Sequence, residues 1–308
     1  MLPIAETIVP IFAVILLGLA LRRGGFLPLS LLSPLNRLVY YLAIPAVIFR
    51  ELSRAPFARL FDPALVTAMC LCVVAALVVS LALAKLLRLS GGIAGTFAQS
   101  SFHGNLGYVG LAVAFYFLGN DGLAKASILA APLMLIQNAL AVGCLVLMGR
   151  AGGQGRSLFF MAKKVLLHPV IITAVAGVLF SLSGARLPVM ADRTIAIIAG
   201  MALPLALLVI GASLSFGLMR NYAALSLAAG AVKLLFLPGL AAWAFTRLGI
   251  GAGSFLPALI LLAAPSATIT YVMAREMGGS PDLATAAISI NTLLSAASYV
   301  LWLSAYAA

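Results

Sequence analysis

The 308-residue chain carries little charge and very little acid. Charged residues make up 8% of it, about a third of the share in a soluble domain. Its seven acidic residues (Glu6, Glu51, Asp62, Asp121, Asp192, Glu276 and Asp282) lie near the ends of apolar stretches or between them. A mid-stretch pair of aspartates, as used in aspartyl hydrolysis or sodium/proton exchange, is therefore missing, and so is any HExxH-like cluster. Cysteine and histidine are equally sparse, at three and two. Cys70 and Cys72, two apart on one predicted helix, point to different faces, and Cys144 stands alone; all three read as small packing residues. No metal site is expected. A Ser101–His103 dyad has poor geometry for the same reason as the cysteine pair. With no polar domain to house a separate catalytic unit, an intramembrane enzyme is the weakest functional reading, and the chain is expected not to be an enzyme.

What the chain does have is apolar length. It is 64% hydrophobic, with a mean hydropathy of +1.19. Most apolar stretches approach or exceed the ~20 residues that cross a bilayer as a helix. They do not alternate as barrel strands do, and lipid leaves no backbone unpaired, so they must be helices. Ten spans are expected, near residues 5–22, 33–52, 63–87, 92–118, 123–148, 163–182, 190–217, 221–246, 253–275 and 282–304. The first has no basic residues before it, only Arg22 and Arg23 after it, and reads as a retained span. The net charge of +12 comes from single or paired basic residues at helix ends, where they orient spans, so the partner is the lipid bilayer and not nucleic acid. Placing both termini outside puts eleven Lys and Arg on the cytoplasmic side and seven on the other. That bias favours a multi-pass inner (plasma) membrane protein with both ends on the outer face.

The chain also repeats itself at an offset of 159 residues. Pro10 recurs as Pro169 and Pro45 as Pro204; Gly18, Gly25, Gly92 and Gly119 recur as Gly177, Gly184, Gly251 and Gly278. Chance would give about 1.6 such coincidences against the six seen. Each half, 1–148 and 163–308, holds five spans, and a Gly-rich basic linker at 149–162 joins them. An odd number of spans makes the second half enter from the opposite side, so the expected fold is all-α: ten transmembrane helices in an inverted 5+5 repeat.

Two spans carry breaks at matching depth. In the fourth, Gln99, Ser100, Ser101, His103 and Asn105 sit mid-span, with Gly104, Gly107 and Gly110 loosening the backbone. In the ninth, Pro265 is followed by Ser266, Thr268 and Thr270. Gly92 to Gly104 and Gly253 to Pro265 are each twelve residues, which places both breaks about 18 Å into the membrane. The repeat pairs Asn105 with Ala264, next to Pro265, so the broken helices 4 and 9 are expected to cross there. Each break exposes the N-terminus of a half-helix, whose free N–H groups favour an anion. Simple kinking of packed spans is the alternative.

These residues resemble a known family. Asn105-Leu106-Gly107-Tyr108-Val109-Gly110 is similar to the Asn-x-Gly-x-x-Gly of the fourth helix of the auxin efflux carriers. Pro265-Ser266-Ala267 with Tyr271-Val272-Met273-Ala274 resembles the ninth-helix motif of that family, and Leu203 to Leu214 its seventh. Asn36 through Pro45 to Phe49 resembles the second helix, and Ala284 to Ser295 the last. The resemblance implies a secondary carrier of organic anions with crossed helices 4 and 9. It also implies small dicarboxylates such as malonate or malate as substrates of bacterial members, and a homodimer built on its scaffold. Ala112 stands where the family often has proline, and the long central loop of the plant carriers is missing.

Within that frame Asn105 is the first candidate for substrate binding, with capping of the broken helix as its other role. Gly104, Ser101, Pro265, Ser266 and Thr268 complete the candidate site, the last two serving equally well as caps. His103 suits proton coupling or a neutral hydrogen-bonded role. Lys233 is the sole Lys or Arg away from a helix end, placed either to attract or gate an anion or to snorkel to the interface. No cofactor is expected. Coupling to H+ or Na+ stays open; a cation would use neutral oxygens such as those of Gln99, Ser101, Asn291, Thr292 and Ser295. Gly107, Gly110, Pro45 and Pro204 are hinge or crossover candidates. A carrier is favoured over an anion channel, which would pass ions without saturation.

Overall fold

The computed structural model describes residues 2–55, 60–148 and 169–306. The expected linker at 149–162 and the start of the sixth span lie outside these residues. Among them the chain is helical throughout, apart from one isolated antiparallel bridge, between Gly104 and Ser266.

The helices fall on the apolar stretches and stop where backbone chemistry stops them. Helix α1 (Leu2–Arg23) leads to α2 (Leu29–Leu38), a π-helical turn (Val39–Ala43) and α3 (Ile44–Arg54). Pro45 has no N–H for the ladder, which accounts for the π turn just before it. Helix α4 (Pro63–Leu86) starts cleanly. Pro63 opens its first turn, and Asp62 Oδ1 accepts from the Ala64 and Leu65 N–H groups at 2.9 and 3.2 Å. Helix α5 (Gly91–Phe102) ends early, at the first break. A π-helical turn (Leu106–Gly110) then leads into α6 (Leu111–Met148). The run Leu106–Met148 is 43 residues long, twice what one crossing needs, and Gly119 divides it by turning to φ 70°.

The second part runs through α7 (Pro169–Leu182), α8 (Val189–Gly200), α9 (Ala202–Ser213), α10 (Phe216–Asn221) and α11 (Ala223–Gly230). A third π-helical turn (Ala231–Phe236) precedes α12 (Leu237–Arg247). Helix α13 (Ala252–Leu262) ends at the second break, followed by α14 (Ile269–Glu276) and α15 (Pro281–Tyr306). Among the described residues seven helical runs are long and apolar enough to cross a membrane, and α7 and α13 are shorter apolar helices. Large apolar side chains such as Leu17, Leu71, Leu147, Ile197 and Trp243 face outward, as a lipid-facing surface requires.

Glycines at repeat-related positions do matching work. Gly25 and Gly184 end helices at φ 76° and 68°, and Gly119 and Gly278 break them at 70° and 72°. A side chain on Gly18 in α1 would strike the backbone of Leu208 in α9. One on Gly177 in α7 would meet Leu52 Cβ at 2.8 Å and the Phe49 carbonyl at 3.3 Å in α3. Gly18 and Gly177 are 159 apart, as are Phe49 and Leu208, so two tight helix crossings fall on the same repeat. Gly211 lets α9 approach the backbone of Ile15, completing the α1–α9 contact. Arg22 finishes that pair by donating to the Ala212 and Leu214 carbonyls at 2.8 and 2.7 Å, while Arg23 lies over the Phe216 ring.

Candidate anion site at the crossing of two broken helices

The two breaks meet. After α5 the chain leaves helical geometry at His103 to Asn105, and after α13 it does so around Pro265 and Ser266, where Gly104 and Ser266 pair as an isolated bridge. The Asn105 N–H donates to the Pro265 carbonyl at 2.7 Å, and the Ala267 N–H donates to the His103 carbonyl at 2.9 Å. Backbone groups freed by each break thus satisfy those of the other, which is what permits irregular chain at membrane depth. The Gly104 N–H donates to Gln137 Oε1 at 3.1 Å.

Side chains of the candidate set then divide into two groups. Asn105, Gly104, His103, Gly107 and Thr268 line a cavity of about 90 Å³. Asn105 Oδ1 accepts from the Tyr108 N–H at 3.3 Å and caps the trailing half of the fourth span. Its Nδ2, however, is buried with no partner among the described residues and belongs to a residue of the cavity wall. Capping and ligand binding were alternatives in the sequence; the amide has one end for each. Thr268 provides no side-chain cap to α14, whose Thr270 and Tyr271 N–H groups donate instead to the Ala267 and Thr268 carbonyls at 3.1 and 3.3 Å, and the start of that helix, Thr268 and Ile269, lines the cavity. The partial positive ends of two half-helices therefore converge on one small space.

The second group lies behind the wall. Ser101 Oγ donates back to the Phe97 carbonyl at 2.8 Å. Pro265 contributes its carbonyl to Asn105, and Ser266 Oγ donates to the Ser100 carbonyl at 2.6 Å while accepting from Asn291 Nδ2 at 2.7 Å. This chain ties α15 to both breaks. Gln99 Nε2 donates to Met273 Sδ at 3.2 Å and lies 3.5 Å from His103 Nδ1. Gln99 Oε1, Asn291 Oδ1 and Thr292 Oγ1 are buried oxygens without hydrogen-bond partners among the described residues. Ser295 Oγ donates to the Thr292 carbonyl at 2.7 Å. Gly110 packs against Leu261, where a side chain would come within 3.0 Å. Pro45 opens α3, and Pro204 lies in the first turn of α9, just after the chain turns at Met201. No group of three or more His, Cys, Asp or Glu side chains is placed to hold a metal among the described residues.

Lys233 reaches the crossing from the far side. Pro238 withholds an N–H from the Leu234 carbonyl, which accepts instead from Ser298 Oγ at 2.8 Å and Trp302 Nε1 at 2.9 Å. That pins the π-helical turn to α15 and turns Lys233 inward, fully buried. Its Nζ donates to the Leu262 carbonyl, at the end of α13, at 2.6 Å.

Several cavity residues were not singled out from the sequence. Tyr108 donates its hydroxyl to Asn36 Oδ1 at 2.7 Å, and Tyr40, Met134, Asn138, Val170 and Val272 also line the cavity. The adjacent amides Gln137 and Asn138 in the middle of an apolar span were the available signal for the α6 side.

Similarity to known proteins follows the same outline. A family model described as membrane transport protein matches residues 3–156 and 154–303. A protein of Methanothermobacter thermautotrophicus named as an uncharacterized transporter is 28% identical over 300 residues, 96% of each chain. A Rhizobium meliloti protein named "Putative malonate transporter" is 29% identical over 309 residues, covering 96% of this chain and 94% of its own.

Proposed function

Since this chain belongs to the membrane transport protein family, that of the auxin efflux carriers, we propose that this multi-pass membrane transporter is a secondary active carrier of small organic anions, with dicarboxylates of malonate size as first candidates. The observation that carries this reading is the unpartnered Asn105 Nδ2 at a cavity where two half-helix N-termini converge. One donor amide and two positive helix ends suit a carboxylate without any arginine in the lining. Size points the same way: a cavity of about 90 Å³ favours a small dicarboxylate such as malonate over larger acids such as citrate or an indole acetate. The name of the Rhizobium meliloti relative agrees with this choice.

Alternating access follows from where the cavity lies. Asn36, Tyr40, Ile44 and Val170 come from α2, the turn after it, α3 and α7; the rest of the lining comes from the crossing and α6. The first group packs with α8 and α9, and α9 carries α1, as a scaffold, while the crossing packs with α4, α11, α12 and α15. A seam that runs through the site can be opened first to one side and then to the other. The paired Gly18–Leu208 and Gly177–Phe49 crossings support two inverted five-helix halves, 1–148 and 163–308. The matched family segments also meet within the linker, at residues 154–156. The basic-residue bias supports the inner membrane with both termini outside, and a scaffold-mediated homodimer goes with the family.

The test is charge movement and radiolabelled uptake in proteoliposomes with malonate, malate, citrate, indole-3-acetate and chloride. A carrier of this kind gives saturable malonate transport with competition by malate. Non-saturating current with every anion would make it a channel, and absence of both uptake and current for all carboxylates would sink the anion reading. Repeating the uptake across pH and sodium concentration separates proton from sodium coupling.

A further inference from the structure

A buried lysine without a counter-charge stands directly behind the anion cavity. Lys233 is 0% exposed. Leu262 O is its one hydrogen-bond acceptor among the described residues, and no carboxylate lies within ion-pair distance of it. Such an arrangement is costly, because a buried ammonium needs a charge partner as well as dipoles. The Leu262 carbonyl is at the C-terminal, partly negative end of α13 and offsets part of that cost. What remains is directional. A side-chain carbon on Gly104 would lie 3.2 Å from Lys233 Cε and 3.3 Å from Nζ, and Gly104 is itself part of the cavity wall. The backbone of Gly104, with the Leu106 side chain beside it, therefore stands between the ammonium and the cavity that Asn105 and Thr268 line.

We infer that Lys233 is the built-in countercation of this carrier. It stays behind the wall, touches no substrate atom, and sets the preference of the cavity for a negatively charged ligand over a neutral one of the same shape. The inference rests on the anion reading above and adds to it the residue that makes the site selective for charge. Three features serve this role together. The π-helical turn before Pro238 aims Lys233 inward, the Leu234 carbonyl pinned by Ser298 and Trp302 holds that rotation, and Gly104 leaves room for the ammonium. The Gly104 N–H, tied to Gln137, keeps the thin wall in place. An anion entering the cavity completes an ion pair across the peptide, so substrate binding stabilises a charge that the empty protein leaves unpaired.

The experiment compares malonate with malonamide, its uncharged counterpart, on the purified full-length protein in nanodiscs, by calorimetric titration and by thermal unfolding. Wild type is expected to bind malonate much more tightly than malonamide. Lys233→Met, close to the lysine stem in shape, should lose affinity for malonate about thirtyfold, the effect of a unit charge acting across about 8 Å at an effective dielectric constant of about 20. Its affinity for malonamide should stay within about twofold, a split that a packing defect would not produce. Lys233→Ala supplies the second arm: its malonate affinity should return with added propylammonium and not with 1-propanol. Lys233→Met that binds malonate as tightly as wild type overturns this inference alone. So does equal loss of malonate and malonamide binding, or equal rescue by the amine and the alcohol. A wild-type protein that binds neither malonate nor malate overturns the anion reading together with it. If the Met variant does not fold, the amine-against-alcohol comparison on the Ala variant decides between the same outcomes.

Discussion

Replacing Asn105 by aspartate separates the two jobs of one side chain. The cap survives, because a carboxylate oxygen accepts from the Tyr108 N–H as Oδ1 does now, and a negative charge at a half-helix N-terminus is favoured by about 0.3–1 kcal/mol. Burying the new charge outweighs that gain, so folding stability should fall somewhat even with the cap kept. Binding should collapse for two reasons. The Nδ2 donor is lost, and a hydrogen bond to a charged group contributes about 1.5–3 kcal/mol, or about 10- to 150-fold in affinity. A like charge also takes its place, and repulsion between carboxylates about 4 Å apart comes to about 4 kcal/mol at an effective dielectric constant of about 20. Together these amount to at least about a thousandfold, beyond detection in most uptake assays. Asn105→Ala gives the contrast. It removes the cap, at about 1 kcal/mol of stability, and the donor, but adds no charge, so affinity should fall only about 10- to 150-fold. Thermal unfolding of each purified variant reads stability, and saturable malonate uptake in proteoliposomes reads binding. The reasoning is refuted if the aspartate variant transports malonate with wild-type affinity, or if the alanine variant loses more transport than the aspartate.

The remaining predictions address packing, latching and size. Gly18→Leu and Gly177→Leu should each cost well over about 3 kcal/mol, because the new side chain meets backbone or Cβ atoms of the facing helix, and both should show as lost monodisperse protein and lowered melting temperature. Arg22→Gln removes two charge-assisted bonds to the end of α9 and should destabilise by about 2 kcal/mol, read as a lower melting temperature with the affinity for malonate unchanged. Met134→Ala enlarges the cavity lining and should shift competition from malonate toward longer dicarboxylates, measured as relative inhibition of malonate uptake by succinate and glutarate.

The legible part of the site was its depth. Helix rise converts residue number into position along the membrane normal, so twelve residues from Gly92 and from Gly253 located both breaks, and they do cross, at Gly104 and Ser266. The tight crossings were legible for a related reason. A helix crossing tight enough to exclude a side chain leaves a glycine, and two such crossings leave two glycines at the repeat offset. Face was not legible. In a soluble helix the polar side marks the surface, but in a lipid-spanning one the lipid-facing and buried sides are both apolar, so periodicity does not report rotation. Ser101 and Ser266 thus lie at the right depth yet turn into the packed interior, while Tyr108 and Asn138, not singled out, face the cavity.

Composition by itself determined that this chain lives in a bilayer as helices, since a sequence with 8% charge and such apolar lengths has no other way to pair its backbone. Its motifs determined the family, and the Gly and Pro positions determined where the helices break. Only the tertiary structure decided which groups share the cavity, because Asn36, Asn105, Asn138 and Thr268 come from separate helices whose rotations depend on packing against one another. It also decided that Lys233 turns inward to the Leu262 carbonyl and does not snorkel outward. Its depth allows both directions, and the carbonyl freed by Pro238 and held by α15 selects one.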